Sequence, residues 1–246
     1  MNVVAIVQAR MGSSRLPGKV MLPLGRRPMI HHVLRRAQKI EGVDEVVMAT
    51  SRSPREEALV RYVRSAIGLP VVRGPEDDVL ERYVGAARQF GADVIVRLTA
   101  DCPLLSARVS SRVVQAFVDG RSRIDYASNT LDRTYPRGLD TEVFSVDALR
   151  RANRRASNPW EREHVTLYMW SHPELFELQS VKARRHYPDY RWTVDTFSDY
   201  RLLRRIFDVL LDQDRHFEFE DALQLLENNP QWTTINDDIS QKPPSP

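Results

Sequence analysis

The sequence of 246 residues has little cysteine, no long apolar run and no large excess of charge of one sign. Its one cysteine, Cys102, has no second cysteine with which to form an internal disulfide. A disulfide-stapled scaffold is therefore excluded, and a reducing compartment, the cytoplasm, is expected. No apolar run approaches the ~18 residues of a membrane-spanning helix, so we expect no membrane partner. Residues 3–7 are too short for a signal-peptide core and lack a basic leader, and we interpret them as a strand.

The composition is that of an ordinary globular protein, with 42% hydrophobic and 28% charged residues. Such a chain is far from the low hydrophobicity of disordered proteins, and its length predicts one large domain or two small ones. The 36 basic and 33 acidic residues leave a net charge of +3. This mild excess suits an anionic small molecule as well as it suits a nucleic acid.

Short apolar runs alternate with amphipathic stretches along the whole chain. The predicted strands lie at residues 3–7, 45–50, 70–73, 93–99, 124–128, 141–144, 175–181 and 190–194. The predicted helices lie at residues 28–40, 53–67, 78–90, 108–118, 146–156, 197–211 and 218–228, and residues 158–161 begin another. Residues 53–56 are expected to form a capping box. This alternation predicts an α/β fold with a mostly parallel, mixed sheet flanked by helices. Because such sheets bind ligands beyond the carboxyl ends of their strands, the residues that follow each strand are the candidate site residues.

The loop after the first strand, residues 8–19, combines two glycines and two serines with three cationic side chains. Glycines allow backbone N–H groups to turn toward an anion, and Arg10, Arg15 and Lys19 supply positive charge. A phosphate chain is the ligand that this combination favours. A basic surface loop with no ligand is the alternative that the loop alone leaves open.

Two common phosphate-binding motifs are excluded in this loop. A Walker loop has four residues between its glycines and a hydroxyl residue after the lysine. Here five residues separate Gly12 from Gly18, and Val20 follows Lys19. The dinucleotide fingerprint G-x-G-x-x-G is also absent, so the loop has the pattern of neither an ATPase nor a dehydrogenase.

Seven segments of the chain together resemble a known family. They are VQARMGSSRLPGK (residues 7–19), RGPEDDVLERY (73–83), RLTADCPL (97–104), YASN (126–129), PRGLD (136–140), EREHV (161–165) and WTVDT (192–196). They resemble the cytidylyltransferases that activate acidic sugars, such as acylneuraminate and 3-deoxy-manno-octulosonate cytidylyltransferases, and most closely their spore-coat-polysaccharide-type branch. The resemblance implies a nucleotide-diphospho-sugar transferase fold, a CTP-binding site, Mg²⁺ and a homodimer. It predicts a nucleotidyltransferase domain over residues 1–212, followed by a C-terminal helical extension and disordered tail over residues 213–246.

Two aspartates follow predicted strands. Asp101 comes after residues 93–99, and Asp195 comes after residues 190–194. Mg²⁺ prefers hard oxygen ligands, usually one or two carboxylates plus phosphates and waters. By sequence alone these aspartates could equally be turn or helix-cap residues. The resemblance implies that both bind the metal, although Ala100 stands where the family usually has glycine.

The resemblance also implies which residues contact the substrates. The implied catalytic residues are Arg10, Lys19 and Asp101. The implied nucleotide-binding residues are Gln8, Ala9, Arg10, Gly12, Ser13, Arg15, Lys19, Arg73, Asp78 and Thr99. The implied acceptor-binding residues are Asn129, Arg137, Asp140, Glu142 and His164. Helix capping is an alternative or additional role for Asp78, and a surface or dimer-contact helix is the alternative for His164.

The sequence therefore predicts a Mg²⁺-dependent cytidylyltransferase that transfers CMP from CTP to a small anionic acceptor, an acidic sugar or a phosphonate, and releases pyrophosphate. A uridylyl- or guanylyltransferase for a sugar phosphate is the second hypothesis. A nucleic-acid-binding protein is the third, since residues 150–155 and 184–191 are basic and the latter contain aromatic residues. A solvated helix face and a loop are the favoured interpretation of these basic segments, and we expect no nucleic-acid partner.

Overall fold

The computed structural model describes residues 1–188, 190–211 and 217–240. The strands in these ranges are β1 (Val3–Gln8), β2 (Pro23–Leu24), β3 (Arg27–Pro28), β4 (Glu45–Ser51), β5 (Val71–Gly74), β6 (Val94–Thr99), β7 (Tyr126–Ser128), β8 (Glu142–Ser145) and β9 (Leu178–Ser180). The α-helices are α1 (Met29–Ala37), α2 (Glu57–Tyr62), α3 (Val79–Gln89), α4 (Ala107–Gly120), α5 (Val146–Arg155), α6 (Pro159–Glu163), α7 (Leu167–Ser171), α8 (Phe197–Leu211) and α9 (Phe219–Asn228).

In the described ranges, seven strands form one mixed sheet in the order β5-β4-β1-β6-β8-β7-β9. The pairs β5–β4, β4–β1, β1–β6 and β7–β9 are parallel, whereas β8 runs antiparallel to both β6 and β7. Helices cover both faces, since α1, α2, α4, α8 and α9 pack into one core and α3, α5 and α7 pack into the other. The prediction of a mostly parallel α/β sheet flanked by helices is confirmed.

The central strand β1 shows why the apolar runs form buried strands. Successive side chains of a strand point to opposite faces of the sheet. Val3, Ala5 and Val7 accordingly enter one core, and Val4 and Ile6 enter the other. A strand buried on both faces reads as a continuous apolar run. Its polar end, Gln8, lies where the run stops and where the loop of residues 8–19 begins.

The predicted strand at residues 190–194 is wrong. Within this segment only Arg191 forms a β-bridge, and its partner Arg137 belongs to a loop. The N–H of Val194 instead donates to the carbonyl of Asp101 at 2.8 Å. An apolar extended segment can thus be buried with its hydrogen bonds made to loops, which a periodicity pattern does not distinguish from a sheet strand.

The predicted capping box at residues 53–56 is also wrong. Ser53 does accept a hydrogen bond from the N–H of Arg55, but Pro54–Glu56 form a 3₁₀ turn before α2. The Glu56 side chain turns away from the helix terminus toward the loop after β1. At residues 158–161, by contrast, a capping box between Asn158 and Glu161 opens α6.

The C-terminal helix α9 packs on α8 and shares the core that lies beneath α1 and α4. A 3₁₀ helix, Pro230–Ile235, follows it. The predicted tail at residues 241–246 lies outside the described residues. Among the helices of the described ranges, none has both the length and the apolar character needed to cross a bilayer.

Candidate active site

A cavity of about 740 Å³ opens beyond the carboxyl ends of β1 and β6. These strands are parallel neighbours, so the residues that follow them meet at one edge of the sheet. Thirteen predicted site residues line the cavity: Gln8, Ala9, Arg10, Ser13, Arg15, Lys19, Thr99, Asp101, Arg137, Asp140, Glu142, His164 and Asp195. The fold therefore brings the predicted nucleotide, metal and acceptor residues together.

Four predicted contact residues do not line this cavity: Gly12, Arg73, Asp78 and Asn129. Arg73 donates to two backbone carbonyls of the segment before α2. Asp78 caps α3 and pairs with Arg162 at 2.7 Å. The side-chain amide of Asn129 bonds the backbone of the turn before β8, since its nitrogen donates to the carbonyl of Leu139 and its oxygen accepts from the N–H of Thr141. In this structure the last three side chains hold protein segments in place.

Lys19 lies between the two predicted metal-binding aspartates. Its Nζ is 2.8 Å from Oδ2 of Asp101 and 2.9 Å from Oδ1 of Asp195, and only 12% of its side chain is exposed. Arg15 and Arg191 also contact the Asp195 carboxylate, at 3.2 and 2.6 Å. The two carboxylates converge on one point although 93 residues of chain separate them.

Charge pairing sets the ionisation of this cluster. Burial alone would raise the pKa of Asp101, but the Lys19 ammonium outweighs burial and lowers that pKa to about 2. Burial alone would lower the pKa of Lys19, and the carboxylates of Asp101 and Asp195 reverse this and raise it. The charged forms of Lys19 and Asp101 therefore stabilise each other.

The loop after β1 is closed by its own backbone. The carbonyl of Met11 accepts hydrogen bonds from the N–H groups of Ser13 and Gly18, at 3.0 and 2.8 Å. Gly18 has φ of 70°, a left-handed conformation that favours glycine, and it directs the chain into the turn Lys19–Met21. These contacts aim Lys19 inward, so in this loop side chains rather than the bonded N–H groups supply positive charge to the cavity.

Glu56 anchors this loop, and the sequence did not indicate it. Its side chain is buried, and its carboxylate accepts the N–H of Met11 at 3.0 and 3.1 Å and the hydroxyl of Thr50 at 3.0 Å. The Ser-Pro-x-Glu pattern favoured a local cap, whereas the actual partner is 45 residues away along the chain. The signal in the sequence is an acidic residue directly before a helix. Such a residue can bond elsewhere in the protein when its side chain caps neither that helix nor the turn before it.

Glu142, one of the predicted acceptor-binding residues, has its carboxylate bonded to protein groups. Its carboxylate accepts hydrogen bonds from Tyr126 and Thr166, at 2.7 and 2.5 Å, and pairs with Arg97. Arg97 in turn donates to the side-chain oxygen of Gln8 at 3.2 Å. This network fixes the Gln8 amide with its nitrogen turned away from Arg97. Sequence reasoning missed Arg97 because its partner is on another strand.

His164 presents an unpartnered nitrogen at the same cavity. Its Nε2 is buried and makes no hydrogen bond with any residue that the structure describes. Its ring is stacked parallel to Trp160, with centroids 5.8 Å apart, and burial lowers its pKa. Nearby, Arg133 forms a bidentate pair with Asp140, at 2.6 and 3.0 Å. The predicted acceptor-binding residues thus include an imidazole with a buried nitrogen that makes no hydrogen bond within the described ranges, and an aspartate that holds the guanidinium of Arg133.

A model of the cytidylyltransferase family matches residues 4–239 of this chain. The chain belongs to the cytidylyltransferase family. Family membership confirms the prediction of an enzyme, a CTP-dependent nucleotidyltransferase.

Relatives agree with the predicted resemblance. The spore coat polysaccharide biosynthesis protein SpsF of Bacillus subtilis is 32% identical and is matched over 95% of this chain and 97% of its own length. A 3-deoxy-manno-octulosonate cytidylyltransferase of Anaeromyxobacter dehalogenans is 34% identical over 69% of this chain and 74% of its own length. The spore-coat-type and octulosonate-type likenesses are both confirmed.

Solved structures agree on the fold. A cytidylyltransferase of Leptospira borgpetersenii superposes with a TM-score of 0.90 at 32% identity, over 98% of this chain and all of its own. A CMP:2-keto-3-deoxy-manno-octonic acid synthetase solved with CTP has a TM-score of 0.66 at 22% identity, over 87% of this chain and 100% of its own. A Mycobacterium tuberculosis protein solved with manganese has a TM-score of 0.57 at 16% identity, over 83% of this chain and 99% of its own. The last two show the fold alone, and the nucleotide-diphospho-sugar transferase fold is confirmed.

Proposed function

We propose that this cytidylyltransferase transfers CMP from CTP to a small anionic acceptor with the help of Mg²⁺ and releases pyrophosphate. The observation that carries the proposal is the cluster of Lys19, Asp101 and Asp195 in the cavity. It joins a cation suited to phosphates with two carboxylates suited to a metal, at the end of the loop after β1. The proposal includes the homodimer that the resemblance implies and the cytoplasmic location expected from the single cysteine.

The residues present fit a Mg²⁺ ion. Asp101 and Asp195 contact one atom, Lys19 Nζ, so their oxygens converge closely enough to share a ligand. No group of three or more acidic, histidine or cysteine side chains suited to a metal occurs in the described ranges, so phosphate and water would complete the shell. When bound, Mg²⁺ would neutralise charge on the α-phosphate and the departing pyrophosphate. Lys19 would then turn from the carboxylates toward the phosphates.

The cavity residues fall into two sets, one that acts on CTP and one that binds the acceptor. An oxygen of the acceptor forms a bond to the α-phosphorus of CTP as the bond from that phosphorus to pyrophosphate breaks in line. Arg10, Arg15 and Lys19 stabilise the charge that accumulates on pyrophosphate. Arg137 and His164, which line the same cavity, orient the acceptor. No covalent enzyme intermediate is required.

The donor is tested with CTP, UTP, ATP and GTP at equal Mg²⁺. We expect CTP to give the highest kcat/KM and the largest thermal stabilisation, because a ligand that binds only the folded protein raises its stability by mass action. Equal kcat/KM for CTP and UTP would replace the proposal with the second hypothesis, a uridylyltransferase.

The acceptor class is tested by pyrophosphate release with CTP. The guanidinium groups of Arg133 and Arg137 both line the cavity and support an anionic acceptor. The panel contains a nonulosonic acid, an octulosonate, an aminosugar phosphate and a small phosphonate, each paired with its neutral counterpart. We expect turnover only with an anionic member, and turnover with the neutral counterparts would contradict the proposal.

Replacing Glu56 with glutamine should weaken CTP binding more than it slows the chemical step. The amide offers one oxygen where the carboxylate offers two. The N–H of Met11, which bonds both oxygens, keeps one acceptor and meets an NH₂ group in place of the other, and the hydroxyl of Thr50 or of Ser51 loses its acceptor. We expect the KM for CTP to rise about tenfold, since leaving a buried donor unsatisfied costs roughly 1–3 kcal/mol. Glu57→Gln is the matched control, because Glu57 is exposed and pairs only with Arg73. A lower melting temperature with an unchanged KM would reduce Glu56 to a structural role.

A further inference from the structure

A second cavity, of about 260 Å³, lies apart from the active-site cavity and shares none of its lining residues. Its walls come from α4, from the segment before residue 188 and from the first turn of α9. The lining residues are Arg108, Val109, Arg112, Arg184, Arg185, Tyr187, Phe219 and Glu220. It includes Arg184, Arg185 and Tyr187 of the basic and aromatic segment singled out in the sequence, and these three do not line the active-site cavity.

The charge of this cavity is strongly positive. Four arginine side chains face one carboxylate, which leaves three positive charges without a counter-ion in the lining. Among the residues that the structure describes, no acid pairs with Arg112, Arg184 or Arg185. Guanidinium groups match phosphate oxygens with two parallel hydrogen bonds, so this arrangement favours a phosphate group.

Aromatic rings hold these guanidinium groups in place. Arg185 lies over the ring of Tyr187, 4.8 Å from its centroid, and Arg112 donates to the hydroxyl of Tyr135 at 3.2 Å. Tyr135 is buried and stacks on Tyr187, with centroids 5.7 Å apart. An arginine held by a ring or by one hydrogen bond loses less freedom on binding and keeps donors for a ligand.

Besides the phosphate that the arginines favour, Glu220 calls for a hydrogen-bond donor on the ligand. One of its carboxylate oxygens pairs with Arg108. The other, Oε2, is buried and has no hydrogen-bond partner within the described ranges. A buried carboxylate oxygen without a donor is unfavourable, and a hydroxyl group of a ligand would satisfy it.

We propose that this second cavity binds a phosphorylated sugar, with its phosphate on Arg112, Arg184 and Arg185 and a hydroxyl donating to Glu220. The size supports a small ligand, because the cavity lies just below the ~300–1,000 Å³ of pockets for drug-sized molecules. A single-stranded nucleic acid would need a groove that continues along several bases. The small volume and the unpartnered carboxylate oxygen favour the sugar phosphate.

The test is calorimetric titration of the whole protein at low salt with glucose 6-phosphate, glucose and inorganic phosphate. We expect glucose 6-phosphate to bind, inorganic phosphate to bind more weakly and glucose not to bind. Arg112→Ala and Arg184→Ala should each weaken glucose 6-phosphate binding about tenfold, since each removes charge-assisted hydrogen bonds to phosphate. Glu220→Gln should reduce the preference for glucose 6-phosphate over inorganic phosphate.

Two controls separate this cavity from the active site. Arg61→Ala removes the same charge from an exposed position of α2 outside both cavities and should leave binding unchanged. Lys19→Ala alters the active-site cavity and should leave glucose 6-phosphate binding intact. Arg184 is exposed, so its replacement does not threaten folding. Binding that survives Arg184→Ala but is lost in Lys19→Ala would overturn the proposal. So would binding of a single-stranded oligonucleotide that falls steeply with salt, with no binding of glucose 6-phosphate.

Discussion

Replacing Asp101 or Asp195 with asparagine is expected to lower kcat by at least ~100-fold, because each change removes one of two carboxylates proposed to hold the metal that stabilises the transition state. The amide keeps the shape of the side chain but loses its charge. Since both carboxylates contact Lys19, each variant also weakens the hold on that ammonium. The two effects act on the same charged cluster, so the double variant should lose less than the product of the single losses.

The measurement is pyrophosphate release with CTP over a range of Mg²⁺ concentrations, with circular dichroism to show that each variant is folded. Asp119→Asn is a matched control, since Asp119 is exposed on α4 and bonds only to Gln115. We expect excess Mg²⁺ to restore part of the lost activity in the single variants. Near-normal turnover at ordinary Mg²⁺ in either variant would remove that aspartate from the proposed metal site.

Arg10→Ala and Lys19→Ala should both lose kcat, by an amount equivalent to about 2–4 kcal/mol for each lost contact. The outer phosphates of CTP become the leaving group, so negative charge accumulates on them as the bond breaks. A contact that strengthens at that moment lowers the barrier, and its removal lowers kcat as well as affinity. The two side chains differ in their surroundings, because Lys19 is buried between carboxylates whereas Arg10 is 43% exposed and pairs with Glu163 at 3.2 Å.

Because their surroundings differ, the Arg10 and Lys19 variants distinguish a loss of kcat from a loss of stability. Removing Arg10 breaks only an exposed ion pair, which is worth at most about 1 kcal/mol, so its melting temperature should hardly change while kcat falls. Removing Lys19 leaves two carboxylates without their shared cation, and that variant should also be less stable at neutral pH. Lys19→Arg should restore activity incompletely, since a planar guanidinium does not replace a compact ammonium. If kcat and the KM for CTP are both unchanged in Lys19→Ala, the loop does not hold the triphosphate.

Local patterns in the sequence were sufficient to predict most strands of the sheet and many of the residues that line the cavity. The strand β1 is a continuous apolar run because both of its faces are buried, and its end is marked by its first polar residue, whereas β6 is apolar except for Arg97 and its last residue, Thr99. A parallel sheet places those ends at one edge, so the loop after β1 and Asp101 after β6 could be assigned to a common site.

Other predictions failed because the deciding partner is distant along the chain. The Glu56 carboxylate bonds the loop after β1 instead of its own helix terminus, and the segment of residues 190–194 bonds loops instead of a strand. The binding roles of Arg73 and Asn129 stay predictions, and in the structure both side chains bond backbone groups of the protein. A polar side chain near a site can always be satisfied by the backbone, and sequence spacing does not show which partner is in reach.

The sequence by itself determined the fold class and the loop of residues 8–19, since each depends on periodicity or on residue types within a few positions, and its resemblance to the family pointed to the pair Asp101 and Asp195. The tertiary structure alone decided that Lys19 sits between those aspartates and that Arg184, Arg185 and Tyr187 line a second cavity. These contacts require the register of the sheet and the packing of α4 against distant loops. Register and packing depend on the whole core, because a shift of one residue would turn every side chain of a strand to the other face.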